Sequence, residues 1–348
     1  MKMKAAFLEG IEKISVRETP VPQPRAGEAL LKVDSCTVCG SDIKIFRYGN
    51  KRIQYPRIVG HEVAGEIVEV GPGVEAVTLG ERVSVGADIP GVWNTNVPGK
   101  TSFIDYATGH EFDGGFAEYM LLNSDMLRFG PVTPIPEGVS YEAAALAEPL
   151  ACALHGLEMV QFAPGKSLVV IGLGPIGIML LQLGRAFGAS RVFGAQRSRK
   201  RLDMARTFLP EGRFISTQEE ELVEVVLEET NGLGADCVIT SAGTVQSHID
   251  AINMVAHRGY VNLFGGLRNE PKLAIDSNII HYRECFVTGS HGSLPRHHKH
   301  AVQLIARGSV EADRLISKRF PLDEIAEAYA FHESREGLKC AVKPGFVR

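Results

Sequence analysis

Four residues with side chains that bind zinc well stand at Cys39, His61, Glu62 and Glu148. A thiolate, an imidazole and a carboxylate together hold a tetrahedral zinc while leaving one position open, and an open position is what lets the metal polarise a substrate oxygen. Ser41 and Asp42 follow Cys39 closely. Both are good N-cap types ahead of the helical pattern Ile43 to Tyr48, so helix capping is the alternative reading for Ser41. Cys36-Thr37-Val38-Cys39 is also a CxxC, but the βαβ context of a redox pair is missing, so Cys36 reads as a core thiol. The tract His297-His298-Lys299-His300 resembles a metal-binding run, although at a polar helix start solvated histidines are the expectation. Cys152, Cys237, Cys285 and Cys340 lie in apolar runs and are expected to be buried thiols.

A second chemistry is written in Gly172-Leu173-Gly174-Pro175-Ile176-Gly177, which follows the strand Ser167 to Ile171 and opens a helix. In that context the first glycine permits a tight turn and the second lets the backbone approach a pyrophosphate. The third lets helix and sheet pack closely, and the helix-start N–H groups face the phosphates. The next strand ends in Gly194-Ala195-Gln196-Arg197-Ser198-Arg199. Neutral Gln196 stands where a carboxylate would bind the adenosine ribose hydroxyls, and two guanidinium groups follow that suit a 2′-phosphate. The expectation is NADP(H) rather than NAD(H). The alternative is that Arg197, Arg199, Lys200 and Arg201 form a solvated basic helix start.

The elements that must position these groups differ in texture. Up to about residue 135 the chain reads as short β-rich runs such as Ala29 to Val33 and Val63 to Val70, cut by Pro and Gly clusters. From Lys166 apolar strands and helices alternate: Ser167 to Ile171, a helix from Ile176, Arg191 to Ala195, a helix from Lys200, Asp236 to Thr240, a helix over Val245 to Val255, Tyr260 to Phe264 and Cys285 to Gly289. That alternation predicts βαβ units around a parallel sheet. Helical patterns at Leu294 to Arg307 and Leu322 to Glu333 form a tail too short for a third domain, expected to return to the first.

The 348 residues, 45% of them hydrophobic, are enough for two cores. Apolar stretches around Ile176 to Leu183 and Ala143 to Val160 are interrupted and fall short of a bilayer span, so no membrane anchor is expected. The start, Met1 to Ala5, lacks signal-peptide features, which makes the cytoplasm the expected location. Six cysteines are too sparse for a disulfide scaffold. A net charge of −4 without a basic stripe argues against nucleic acid and for a small-molecule partner.

Cys39-Gly40-Ser41-Asp42, the run from Gly60-His61-Glu62 through Gly71 and Val74, Gly114-Gly115-Phe116-Ala117-Glu118-Tyr119 and the nucleotide loop together resemble the zinc-containing medium-chain dehydrogenases over essentially the full length. Ala147-Glu148-Pro149-Leu150 is similar to the polyol (sorbitol-type) branch, where glutamate replaces a metal-facing cysteine. The resemblance implies an α/β protein. A β-rich GroES-like catalytic domain is expected over 1–150 and 291–348, and a doubly wound parallel-sheet (Rossmann) coenzyme domain over 151–290.

It also implies that Cys39 and His61 bind zinc while Glu62 and Glu148 share the remaining position with water, which of the two binds directly being open. By the same resemblance Ser41 relays the substrate proton and Asp42 orients His61. The stretch Gly86 to Asp113 lacks the four cysteines that hold a structural zinc in many relatives, so one zinc per subunit is expected. Packing around Trp93 and Phe103, or a neighbouring subunit, would hold that lobe, and a homo-oligomer, dimer or tetramer, is implied. In the implied reaction zinc acidifies the hydroxyl of a secondary alcohol, Ser41 takes its proton, and hydride passes to nicotinamide at the cleft between the domains; ketone reduction is the reverse.

The substrate stays open among polyols, keto-sugar acids, sugar phosphates and threonine. Arg47, Lys51 and Arg52 are either anion-binding or solvated loop charges. Two other readings remain: a zinc-free quinone or enoyl reductase of the same fold, and a non-catalytic nucleotide-binding protein.

Overall fold

The computed structural model describes residues 1–90, 104–267 and 273–345; Trp93 and Phe103 lie outside them. Two compact units divide the chain, one of residues 1–151 with 292–348 and one of residues 152–291.

The first unit is built on a seven-stranded mixed sheet. Its central strand, Ala29–Thr37, pairs antiparallel with Glu62–Val70, with Tyr119–Leu122 and with Lys339–Lys343. Alternation explains part of this, since Leu31 and Val33 face the core while Lys32 is exposed. The core below gathers Leu31, Ile67, Phe116, Met120 and Phe320. The tail returns here as Ile316–Pro321 and Lys339–Lys343, paired parallel to each other. Two bulges interrupt the Ala29–Thr37 ladder, one between Val33 and Ser35. Beyond it Thr37 stands opposite Glu62, so the ladder delivers the two ends that carry the candidate residues.

The second unit is a six-stranded parallel sheet. Its strands are Ser167–Ile171, Arg191–Gln196, Arg213–Ser216, Ala235–Thr240, Val255–Asn262 and Phe286–Thr288. Numbered in chain order they lie 3-2-1-4-5-6 across the sheet. This is the doubly wound order, whose reversal between the first and fourth strands opens a crevice at their carboxyl ends. Val169, Phe193, Val238 and Ile252 form its core. Short runs hid three elements from sequence reading: the strand Arg213–Ser216 and the helices Leu222–Glu229 and Ser277–Arg283.

The histidine tract departs from expectation. It opens the helix Pro295–Ala306, but only Lys299 and His300 are exposed. His297 Nδ1 accepts the Leu294 N–H at 3.1 Å. His298 is completely buried, with Nε2 3.1 Å from Ser84 Oγ and Nδ1 2.9 Å from Thr133 Oγ1. Burial holds its pKa down to about 3, so it is a neutral bolt between strands rather than a solvated base. Cys237, Cys285 and Cys340 are buried and Cys152 is half-buried; none of the six cysteines is bridged.

Candidate active site

Cys39 caps the helix Gly40–Tyr48 just past the end of Ala29–Thr37. The cap is fastened by Asp42, whose Oδ2 accepts the Cys39 N–H at 2.9 Å. Asp42 Oδ1 lies 3.2 Å from His61 Nδ1. One buried carboxylate therefore ties the thiol's backbone to the imidazole's far side. Ser41 is not the helix cap; it sits inside the first turn with Oγ 3.2 Å from His61 Nε2.

His61 owes its place to Gly60, which has φ +95°. A Cβ there would fall 2.7 Å from the Phe116 ring and 2.8 Å from Cys36 Sγ, so only glycine lets the chain turn onto the sheet at this point. Cys36, fully buried, is part of the wall.

Ligand atoms of Cys39, His61 and Glu62 lie within 4.8 Å of one another. A soft thiol, a borderline imidazole and a hard carboxylate are the mixture zinc accepts. The charge balance also favours a cation. Burial opposes a charge on His61, yet Asp42 and Cys39 outweigh it and hold its pKa well above the usual histidine value. The residues present thus fit the metal.

The two glutamates are treated differently. Glu62 is fully buried and both its oxygens are taken: Lys339 Nζ bonds Oε1 at 2.6 Å and also Oε2, and the Thr37 hydroxyl donates to Oε2. Lys339 is itself only 3% exposed and donates a third bond to the Val38 carbonyl at 2.8 Å. The other glutamate, Glu148, is also buried. That carboxyl, in the first turn of Ala147–Met159, lies outside the three-residue group but has an oxygen within 4.8 Å of an Asp88 oxygen. Burial first, then Glu62 and Asp88 against the pull of His61, raise its pKa to about 8.

The sequence reading missed Lys339, Asp88 and His110. A lysine inside the apolar run Leu338 to Val342 was a visible signal, because an unpaired lysine is rarely buried. Arg47 and Arg52 are partly exposed and already paired with carboxylates rather than free for an anion, and Lys51 is exposed as expected of a solvated loop charge. Arg47 pairs with Glu12 and Glu333, and Arg52 forks onto Glu111 at 2.6 and 2.8 Å.

In the second unit the glycine loop lies at the strand-order reversal. Gly172 has φ +93°, and a Cβ on it would come within 2.9 Å of the Ala242 nitrogen. A Cβ on Gly177 would fall 1.9 Å from the Gly172 carbonyl oxygen, whereas one on Gly174 would meet nothing within 4 Å. Two glycines are demanded by packing and the middle one keeps a surface open. Gly174 caps the helix Pro175–Ala186, with Pro175 and Ile176 in its first turn.

Gln196 is half-buried, and its Oε1 accepts the Leu173 N–H at 3.0 Å. Arg197, Ser198 and Arg199 are exposed, whereas Arg201 is buried. The Arg199 guanidinium is paired with Glu219, Nε to Oε1 at 2.9 Å. Arg197 faces the neutral Gln218 amide, which in the orientation satisfying both groups accepts from its Nε at 3.3 Å.

Comparison with known proteins agrees with both halves. Residues 25–136 match the alcohol dehydrogenase GroES-like domain and residues 175–307 the zinc-binding dehydrogenase family. The chain is 30% identical to a sorbitol dehydrogenase of Halalkalibacterium halodurans, covering 99% of each chain. It is 32% identical to D-arabinitol dehydrogenase 1 of Uromyces fabae, over 99% of this chain and 97% of that one. Among solved structures, a zinc-binding dehydrogenase of Sinorhizobium meliloti bound to NADP superposes with TM-score 0.89 at 30% identity, covering 99% of this chain and 100% of that one. No helix among the described residues is long and apolar enough to cross a membrane. With the three-ligand cluster in one unit and the glycine loop at the switch point of the other, the chain belongs to the zinc-containing medium-chain dehydrogenases, polyol dehydrogenase-like, and is an oxidoreductase of CH–OH groups that uses zinc and a nicotinamide dinucleotide.

Proposed function

We propose that this enzyme interconverts a secondary hydroxyl of a polyol or sugar acid and the corresponding ketone, with NADP(H) preferred over NAD(H) and one zinc per subunit. The observation that carries the metal half is the convergence of Cys39, His61 and Glu62 around a half-buried thiol. Cys39 and His61 would hold the zinc, with Glu148 and Glu62 competing for a further position. Lys339 and Thr37 restrain Glu62, which favours Glu148 as the carboxylate that moves.

When bound, the metal supplies Lewis acidity that brings a substrate hydroxyl's pKa toward neutrality. The protein's own groups do the rest. Ser41 Oγ, half-buried and beside His61 Nε2, relays the hydroxyl proton as the carbon is oxidised, accepting it while it gives up its own proton to water, and the relay runs backwards in the reverse direction. Asp42 fixes the imidazole from behind, the usual way a carboxylate tunes a zinc-binding histidine. Gly172, Gly174, Pro175, Ile176 and Gly177 offer the dinucleotide phosphates an open helix start.

The cofactor preference rests on Gln196 and Arg197. Gln196 carries no charge to repel a 2′-phosphate, and among the described residues Arg197 has a neutral amide rather than a carboxylate as its partner. Arg199 already shares its charge with Glu219, an exposed pair of small strength. Relatives named for sorbitol, D-arabinitol and L-galactonate support the substrate class. The open edge strand Phe286–Thr288, with Phe286 and Tyr282 exposed, supports a homo-oligomer, and nothing in the proposed chemistry needs a compartment other than the cytoplasm.

A screen of polyols, sugar acids and their keto forms, followed by NAD(P)H absorbance with and without a chelator, tests the reaction. For the cofactor, Arg197→Ala is expected to lower kcat/KM for NADP(H) by about tenfold, with Arg199→Ala costing less. A wild-type preference for NAD(H) removes the NADP(H) reading, and two tightly bound zincs per chain remove the single-zinc reading.

A further inference from the structure

The turn that follows Ile104–Ala107 brings a second imidazole to the metal cluster. His110 lies with its ring centroid 6.1 Å from that of His61. It is half-buried. Its ligand nitrogens are not part of the Cys39, His61, Glu62 group.

This turn is held from several sides. Gly109 has φ +73°, and a Cβ on it would meet the backbone of Gly60, the residue before His61, at 3.1 Å. The Thr108 hydroxyl donates to the Gly86 carbonyl at 3.2 Å, and Thr108 forms a bridge with Phe112. Glu111 is clamped by Arg52 and accepts the Ala107 N–H at 2.9 Å. A histidine fixed in this way cannot swing far, so the direction of its free nitrogen is part of the site's shape.

His110 Nδ1 lies 3.3 Å from the Thr108 carbonyl oxygen, which can only accept, so the ring proton sits on Nδ1. Nε2 is left as a lone-pair acceptor with no hydrogen bond among the described residues. An unpaired acceptor close to a site that takes hydroxyls discriminates strongly once a ligand engages it, because a ligand without the matching hydroxyl leaves it unpaired.

We propose that His110 Nε2 accepts a hydrogen bond from the substrate hydroxyl next to the one being oxidised, so that the site selects vicinal diols over lone secondary alcohols. The inference rests on the zinc-alcohol reading above and adds the feature of the substrate that is recognised. It makes His110 a specificity residue that touches substrate, distinct from the proton-handling Ser41.

Propylene glycol and isopropanol differ by that single adjacent hydroxyl and make the test direct. The wild-type holoenzyme is expected to favour propylene glycol. His110→Phe keeps a ring against His61 and removes the acceptor; it should lower kcat/KM for the diol by about tenfold or more, some 1.4 kcal/mol, and leave isopropanol within about twofold. His110→Gln, which restores an acceptor, should recover part of the loss, and zinc content should stay that of wild type in both. His110→Ala gives the same comparison if the larger ring is not accommodated. Equal losses on both alcohols, no loss on either, or loss of zinc overturn the proposal. A wild type that oxidises both alcohols equally also overturns it while leaving the zinc-alcohol reading standing; chelator-insensitive turnover of both removes that reading as well.

Discussion

The metal cluster and the glycine loop solve the problem of holding a ligand in opposite ways. The loop binds with backbone, and its instructions lie within six consecutive residues, Gly172 to Gly177, whose missing side chains are the message. The proposed metal cluster would bind with side chains, those of Cys39, His61 and Glu62, and it is kept in order by residues still farther away, notably Lys339. A site made of backbone is sensitive to bulk. A site made of buried ionisable groups is sensitive to the loss of any one partner.

The sharpest separation should come from Cys39→Ser against Gly172→Val. The first is expected to lower alcohol oxidation by about a thousandfold or more, since a metal Lewis acid supplies several kcal/mol, with NADPH affinity kept near wild type. The second is expected to weaken NADPH binding by on the order of a hundredfold with zinc content retained. Fluorescence titration of NADPH and metal analysis on the same two proteins check both halves. If each substitution damages both ligands alike, the contrast is wrong.

Lys339→Met probes the dependence on distant partners. Leaving Glu62 buried without its lysine should destabilise the zinc-free protein by about 3–5 kcal/mol in chemical denaturation, and added zinc should restore more of that than it gives wild type, because the freed carboxylate can turn to the metal. A loss below 1 kcal/mol, on the order of an exposed ion pair, would contradict the geometry.

The smallest effect concerns the interior of the same unit away from the metal. His298 is neutral when folded with a pKa near 3, while the unfolded chain takes up a proton around pH 6.5. Its contribution is therefore complete above pH 6.5 and is lost as pH falls toward 3, amounting to about 2 kcal/mol by pH 5. His298→Gln should flatten the stability profile between pH 6.5 and 5 relative to wild type; an unchanged slope would show that His298 is not the group responsible.

The same contrast explains what could be read in the sequence. The parallel α/β sheet, the loop and the doubly wound class were legible because each is written in contiguous periodicity and glycine spacing. The ligand types were legible at Cys39, His61 and Glu62, whose flanking motifs are local. The partners of Lys339 and Asp88 were not, even though the apolar run around Lys339 signalled its burial, since what makes them matter is a strand pairing and a helix start far off in the chain, Lys339 lying 277 positions from Glu62. The histidine tract was misread because its context is polar in sequence, while the pockets that receive His297 and His298 are supplied by Leu294, Ser84 and Thr133. The alternative reading of Ser41 as a helix cap is two residues off, the cap being Cys39 itself.

The strand Lys339–Lys343 has a further consequence for how the enzyme is made. During synthesis Cys39, His61 and Glu62 leave the ribosome long before Lys339, and the entire nucleotide unit is translated in between. Until that strand slots beside Ala29–Thr37, Glu62 has no lysine and an early metal ion meets a different set of competing charges. The set of charges around the proposed metal site is thus completed only when a strand from the far end of the chain closes the β-sheet.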